Sequence, residues 1–529
     1  MVGSLRRSLL AALFVLSCVL CSGAAFAQAS DAVPADVEVR NSLRQMAEIY
    51  SIIEQNYAEP VNADKAFYSG AIPSMLHVLD PHSNFFDRKA YSAMREEQQG
   101  RYYGVGMQIA PRNNRIIVLA PFVGTPAYRS GIKPGDTIIS VEGKVTDNLP
   151  VSEVVNLLKG PKGSTVHISI LRDSSEKALE FAVVRDEIPR NSVDLKFQIG
   201  PGVGYMHVTA FNETTGREVK AALEEFGDLK GLILDLRGNP GGLLNEAVSV
   251  TDKFLKRGQV IVSQHGRRSP ERVFRATHGN GGKEYPLVVL VNRGTASAAE
   301  IVSGAIQDHD RGLIVGETTF GKGLVQLIYP LAQNTALTLT IARYYTPSGR
   351  LIQREYAGLS LYDYYYNHEQ EEALRKEPRL TDLGRTVYGG DGIAPDVKVP
   401  ALKSNRFQDS LLQHYAFFNF AHQYLARHPA DRSFQVSSDV LQEFRKFLTD
   451  EKLTFSEMQL AERSDWVKAQ IKAEVFISQF GQEEGMKVRA ETDPQVMAAL
   501  KLLPKARELA EKASKVVAQK ATPAVPAAR

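Results

Sequence analysis

The sequence predicts a multidomain α/β protein. A layered α/β core follows an inserted β-rich module, with helices on its N-terminal side and a mostly helical C-terminal region. Three observations carry this. The chain has 529 residues, more than one ordinary hydrophobic core supports and enough for about three domains. The apolar strand-like runs Gly231–Leu236 and Tyr285–Val291 alternate with amphipathic helical stretches over Thr215–Phe226 and Leu244–Leu255, the order of a layered α/β domain. Residues 100–187 differ in character, with short alternating apolar runs set between glycine turns.

Taken in order, residues 1–27 read as a secretory signal. Arg6 and Arg7 precede an apolar run from Leu9 to Leu20, and small residues lead to Ala25-Phe26-Ala27, so cleavage is expected before Gln28. A retained anchor is the competing reading, and Val15-Leu16-Ser17-Cys18 faintly resembles a lipobox. Cleavage removes both cysteines, Cys18 and Cys21, and with them any disulfide framework or thiol nucleophile. Hydrophobic residues at 43%, charged residues at 23% and a net charge of +3 describe an ordinary globular protein without the basic face that nucleic acid requires. Residues 28–99 form an N-terminal helical segment packing with the core. Leu43, Met46, Ile49 and Ile53 recur at helical spacing, and a second helix surrounds Phe67 to Leu79. His82, in the Asp80-Pro81-His82-Ser83 turn, reads as a turn residue rather than a base.

In residues 100–187, Gly104-Val105-Gly106-Met107 leads into alternating apolar residues. Gly131-Ile132-Lys133-Pro134-Gly135-Asp136, a strand over Thr137–Val141, a helix over Val151–Leu158 and a strand over Val166–Leu171 follow. This order resembles a PDZ domain. Such a domain adds an extended peptide to an open sheet edge, and backbone N–H groups of a glycine loop take the terminal carboxylate. The resemblance assigns that loop to Gly104, Val105, Gly106 and Met107, with an apolar pocket selecting the last side chain.

Residues 188–400 make up the core and carry the chemistry. The strand Leu287–Val291 runs into Gly294-Thr295-Ala296-Ser297-Ala298-Ala299-Glu300, where a helix begins. Ser297 stands at that junction, where a helix N-terminus favours developing negative charge; by itself it would read as an N-cap. Lys322 lies 25 residues on, between Gly321 and Gly323 and just before an apolar strand. Burial lowers a lysine pKa, so Lys322 is a candidate base for Ser297. Four extended residues span roughly 13 Å, so Gln326 can orient Lys322 only if the chain bends or the side chains converge. Gly238-Asn239-Pro240-Gly241-Gly242 ends a buried strand in a turn rich in backbone N–H groups. Gly241 or Gly242, with the amide of Ala298, is the candidate oxyanion hole. Asp235 and Arg237 are read as a salt bridge supporting that turn.

GTASAAE around Ser297, GKG around Lys322, GLVQ ending at Gln326 and the DLRGNPGG run together resemble the carboxyl-terminal processing, or tail-specific, proteases. LDPHSNFF (79–86), ARYYTPSGR (342–350) and VYGGDGIAPD (387–396) fit the same pattern, and the resemblance spans about residues 40–400. It implies a serine endopeptidase with Ser297 as nucleophile, Lys322 as general base and Gln326 orienting the lysine. It also implies a PDZ domain inserted before the protease core; with that module and the signal segment, protein substrates captured by their free C-termini, an exported and periplasmic location, and no cofactor or metal are expected. An adaptor protein and a homo-oligomer are further expected partners, the latter through the helical region at 401–519. A disordered tail is expected at 520–529.

Other chemistries fit less well. His309 lies 12 residues beyond Ser297, roughly 18 Å along a continuous helix, out of reach of the serine; His82 and His207 stay open as bases. An acyl-CoA enzyme has no nucleotide-phosphate loop here, and no His-Glu-x-x-His or Cys/His cluster supports metal catalysis. A catalytically silent PDZ adaptor is the alternative of a different class, and the presence of Ser297, Lys322 and Gln326 together argues against it.

Overall fold

The computed structural model describes residues 35–521, apart from 113, 173–174, 176 and 367–376. The signal segment expected at 1–27 lies outside the described residues. The chain divides into two compact units between Met75 and Leu76.

The first unit contains α1 (Ala35–Asn56), α2 (Ala63–Ala66) and a π-helical turn over Phe67–Ala71. Asn62 caps α2 by accepting the Lys65 N–H. Tyr50 of α1 meets Phe67 with ring centroids 5.1 Å apart. Leu43, Met46, Ile49 and Ile53, the residues that predict α1, are exposed.

After α3 (Ile72–His77), the second unit opens with β1 (Asn84–Phe86) and α4 (Arg88–Gln99). Asp87 caps the start of α4, and Gly100, at φ 65°, ends it in the left-handed conformation glycine adopts without penalty. The β-rich module follows. β2 (Arg101–Gly104) and β9 (Asp186–Pro189) pair as its stem. β3 (Met107–Arg112), β4 (Arg115–Pro121), β5 (Thr137–Val141), β7 (Thr165–Leu171) and β8 (Leu179–Val184) form its sheet in that order, with β6 (Lys144–Val145) on β5. α5 (Pro126–Arg129) and α6 (Val151–Leu158) complete it. Ile116, Val118, Ile138, Val154, Ile168 and Val183 fill one core. Among the described residues β3 pairs with β4 alone, which leaves its other edge without a partner strand.

The central sheet has the order β10-β11-β12-β15-β16-β21. β10 (Val193–Gly200) is antiparallel to β11 (Val203–Val208); β12 (Gly231–Asp235), β15 (Leu287–Val291), β16 (Leu313–Gly316) and β21 (Val397–Lys398) continue in parallel. Parallel strands buried on both faces read as unbroken apolar runs, and β12 and β15 are buried at every position. Leu232, Leu234, Val289 and Val291 face a cluster shared with α7 (Thr215–Phe226), α8 (Leu244–Asp252) and α9 (Ala298–Asp308). Ile233, Val288 and Leu290 face the opposite side. A second sheet joins β1, β18 (Thr335–Tyr345), β13 (Val260–Gly266) and β14 (Ser269–Arg275), with β17 (Leu324–Leu331) on β18. α10 (Leu361–Tyr366) and the short pair β19 (Pro378–Leu380) and β20 (Thr386–Tyr388) lie in the connection to β21.

The helical C-terminal region divides its packing. α11 (Arg406–Gln413), α12 (Ala416–Leu425), α13 (Ser438–Asp450), α14 (Glu457–Glu462) and α15 (Ser464–Phe480) surround a core of Phe417, Phe420, Phe444 and Phe447. α16 (Gln482–Thr492) leads to α17 (Pro494–Ala521), whose Val496, Ala499, Leu503 and Ala506 cover the second face of the central sheet. α17 therefore belongs by packing to the α/β core, and its backbone reaches the first two residues of the tail expected from 520; residues 522–529 lie outside the described residues. Phe418 and Tyr415 of the helical region pack against Ala110, Ile117 and Leu119, on the face of the β-rich module opposite its own core.

Candidate active site

Two loops at the C-terminal ends of β12 and β15 build the floor of the site. Asn292 ties them together, its Oδ1 accepting the N–H groups of Gly238 at 2.8 Å and Gly294 at 3.0 Å. Thr295 Oγ1 donates to Leu236 O at 2.8 Å, and Ala296 N–H to Asn239 O at 2.9 Å. Gly241 sits against the serine so closely that a Cβ there would lie 2.7 Å from both Ala296 O and Ser297 Cβ. Ser297 itself adopts φ 55°, ψ −114° at the start of α9, a backbone region that L-residues occupy only when their surroundings enforce it.

Ser297, Lys322 and Gln326 all line one cavity of about 350 Å³, together with Gly242 and Ala298. Lys322 Nζ donates to Gln326 Oε1 at 3.0 Å. The contact forms because Lys322 precedes β17, which starts at Leu324, and the β17–β18 register shifts between Val325 and Gln326. This is the convergence that extended spacing alone would forbid. Gln326 Nε2 donates in turn to the His82 carbonyl, so the Asp80–Ser83 turn fixes the glutamine. Asp80 shapes that turn by accepting from His82 N, Ser83 N and Ser83 Oγ. Burial draws the Lys322 pKa below the ordinary lysine value, against the opposing charges of Asp80 and Glu300.

Two residues that the motif reading left without roles hold this geometry. Glu300 is fully buried, and its Oε2 accepts the N–H groups of Ser297 at 2.8 Å and Lys322 at 2.9 Å. Its Oε1 accepts from Gly321 N at 2.8 Å and Thr319 Oγ1 at 2.5 Å. One carboxylate thus joins the backbones that carry the serine and the lysine. Burial raises its pKa, and these four donors oppose the rise. Tyr344 donates to the Lys322 carbonyl and lines the same cavity as Ser297. Glu300 and Tyr344 lie inside the GTASAAE and ARYYTPSGR runs, so their positions were visible in the sequence although their bonds were not.

The candidate oxyanion donors separate. Gly241 N–H donates to Asn239 Oδ1 at 2.8 Å. Among the described residues the N–H groups of Gly242 and Ala298 have no hydrogen-bond acceptor, and both residues line the cavity. Gly242 is required as glycine: at φ 142° a Cβ would fall 2.1 Å from Phe211 O.

Each of the three candidate histidines has other partners, although His82 lines the cavity. His82 Nε2 is 2.9 Å from Tyr364 Oη, and burial followed by the Lys322 charge lowers its pKa to about 3. His309 bonds Asp382 and Val260 O, both at 2.8 Å, and His207 bonds Asp194 at 2.7 Å. Neither His207 nor His309 lines the cavity. Among the described residues, no three His, Cys, Asp or Glu side chains gather as a metal-ligand set.

In the β-rich module, Gly104–Met107 connects β2 to the open-edged β3. Val105 O accepts Ala127 N–H, and Gly106 O accepts Phe122 N–H and Thr125 Oγ1. The N–H groups of Val105 and Gly106 have no acceptor among the described residues. A Cβ on Gly106, at φ 79°, would lie 2.5 Å from Thr125.

Residues 202–359 match peptidase family S41, residues 93–171 a PDZ domain, and residues 407–459 the C-terminal helical domain described for probable PDZ-proteases. The carboxy-terminal-processing protease of Bartonella bacilliformis is 39% identical over 322 residues, covering 59% of this chain and 74% of that one. The chain belongs to the carboxy-terminal processing proteases of peptidase family S41. As a member of that family it is a serine peptidase carrying a PDZ domain. Carboxy-terminal processing protease CtpB of Bacillus subtilis is 32% identical over 327 residues, 61% of this chain and 68% of its own. Among solved structures, a photosystem II D1 C-terminal processing protease is 28% identical, with a TM-score of 0.35 over 68% of this chain and 87% of that one.

Proposed function

We propose that this protease cleaves exported or envelope proteins whose free C-termini are bound by its PDZ domain, using Ser297 as nucleophile, Lys322 as general base and Gln326 to orient the base. The observation that carries the reading is the 3.0 Å contact between Lys322 Nζ and Gln326 Oε1 inside the cavity that Ser297 lines. A neutral acceptor, unlike a carboxylate, holds the amine without stabilising its charge, and burial favours the neutral form.

In this mechanism Ser297 Oγ donates to Lys322 and attacks the scissile carbonyl while Lys322 takes the proton. The tetrahedral oxyanion is held by the N–H groups of Gly242 and Ala298, at the positive end of α9. Collapse expels the amine, which receives its proton from Lys322. A water deprotonated by Lys322 then releases the acyl-enzyme. The open edge of β3 and the unengaged N–H groups of Val105 and Gly106 support capture of an extended, apolar-ended tail. Periplasmic location follows from the reading of residues 1–27. The exposed Leu43, Met46, Ile49 and Ile53 of α1 support assembly with further copies, and an adaptor protein would extend the range of tails delivered.

Cleavage of an unstructured protein by wild type, Ser297→Ala and Lys322→Ala, with free and amidated substrate C-termini, tests this reading. Both variants are expected to fold and to be inactive, and amidation is expected to raise KM. A Ser297→Ala variant that cuts like wild type removes the nucleophile, and no cleavage by any form returns the PDZ adaptor reading.

A further inference from the structure

A second cavity, of about 640 Å³, lies outside the active site, between α7, α8 and the loop that leads from β14 to β15. That is the size of pocket that takes a small organic ligand. Part of its wall is apolar for a physical reason. Leu223, Leu229, Val248 and Tyr285 each pack one side against the core cluster and remain only partly buried, so their free surfaces face the cavity.

Beside this apolar part stands Lys253, at the C-terminal end of α8. Its ammonium donates to Ser249 O at 2.7 Å and Ser249 Oγ at 3.2 Å, both neutral, and to no carboxylate. The two acids on the walls are already occupied. Asp252 accepts from Gly279 N at 2.9 Å, from His278 N at 3.1 Å and from His278 Nδ1 at 2.8 Å. Glu224 faces Lys220 one helical turn away, at 3.7 Å. A half-buried cation held only by neutral oxygens retains a strong preference for an anion. Burial pulls its pKa below the usual lysine value, as such isolation requires.

We infer that this cavity is a binding site for an amphipathic monocarboxylate, with the carboxylate on Lys253 Nζ and the apolar body against Leu223, Val248 and Tyr285. Lys220, Arg275 and Lys283 also line the cavity but are exposed, so Lys253 is the one half-buried cation among its lining residues, matched to a single negative charge. The site would distinguish such a ligand from a neutral or cationic amphiphile of the same length by that one contact. The opposite end of α8 begins two residues after Gly242, so a ligand here loads the helix that leads out of the loop beside Ser297.

Calorimetric titration of the full chain with decanoate, decanol and decyltrimethylammonium, each below its micellar concentration, tests the site. Decanoate is expected to saturate one site per chain and decanol to bind at least tenfold more weakly. Lys253→Met is expected to reduce decanoate to the affinity of decanol, Lys253→Arg to retain the preference, and Val248→Trp to abolish binding by filling the cavity, with thermal melts confirming that each variant is folded. Decanoate binding that is absent, equal to that of decanol, or indifferent to Lys253→Met overturns the assignment; the last result would also describe a carboxylate captured at the Gly104–Met107 loop instead.

Discussion

At the scale of single residues, the backbone of Ser297 and the carboxylate of Glu300 explain most of the site. A non-glycine residue at φ 55° stores strain of about 1 kcal/mol or more, which the surrounding loops enforce so that the hydroxyl faces the cavity. Ser297→Gly is therefore expected to unfold about 1 kcal/mol harder than Ser297→Ala in denaturant melts, both being inactive. Glu300 accepts four hydrogen bonds and donates none. Glu300→Gln turns an amide toward donors, and a loss of about 2–3 kcal/mol is expected, with kcat falling further than KM rises. Lys322 has a folded-state pKa below its unfolded value, so the unfolded chain binds more protons between the two and stability rises with pH across that window. Lys322→Met should accordingly melt above wild type at neutral pH, with the gain fading toward pH 10.5. In wild type, kcat/KM should rise with pH and level off before an ordinary lysine would titrate. His82, lowered from 6.5 to about 3, contributes stability that is present above 6.5 and lost as pH falls toward 3. His82→Asn is expected to flatten that part of the acid melting profile.

At the scale of elements, what the sequence made legible was local and what it hid was long-range. Ser297, Lys322 and the glycine turn could be found because each sits at the end of an apolar strand, where a run of side chains stops and a loop must begin. The pairing of Lys322 with Gln326 could not, because it depends on where β17 starts and on a register shift against β18. Nor could the bond from Gly241 N–H to Asn239 Oδ1, made by a side chain folding back on its own turn. The glycines of that turn differ in consequence. Gly242→Ala drives a Cβ into Phe211 O and is expected to abolish turnover, because the loop must move away from Ser297. Gly238 has open space at its Cβ position, and Gly238→Ala is expected to lose only about 1 kcal/mol, for its positive φ.

At the scale of the whole molecule, an amphipathic pattern predicted helices beyond residue 400 without saying which surface each would cover. Their destinations depend on tertiary complementarity: five of them enclose a phenylalanine core, while α17 crosses back to the central sheet. Phe418 is the seam between that helical region and the PDZ domain, and Phe418→Ala is expected to destabilise by about 3 kcal/mol, measurable as earlier proteolytic nicking between the two. The position of α17 has a consequence in time. The last strand of the central sheet is β21, yet the sheet's second face is closed by a helix that begins almost a hundred residues later. During synthesis the sheet must wait, half-covered, until α17 has been made. A nascent chain that already carries both Ser297 and Lys322 therefore lacks the finished core that holds them in place, and the peptide-cutting machinery matures only once α17 has been made and has docked.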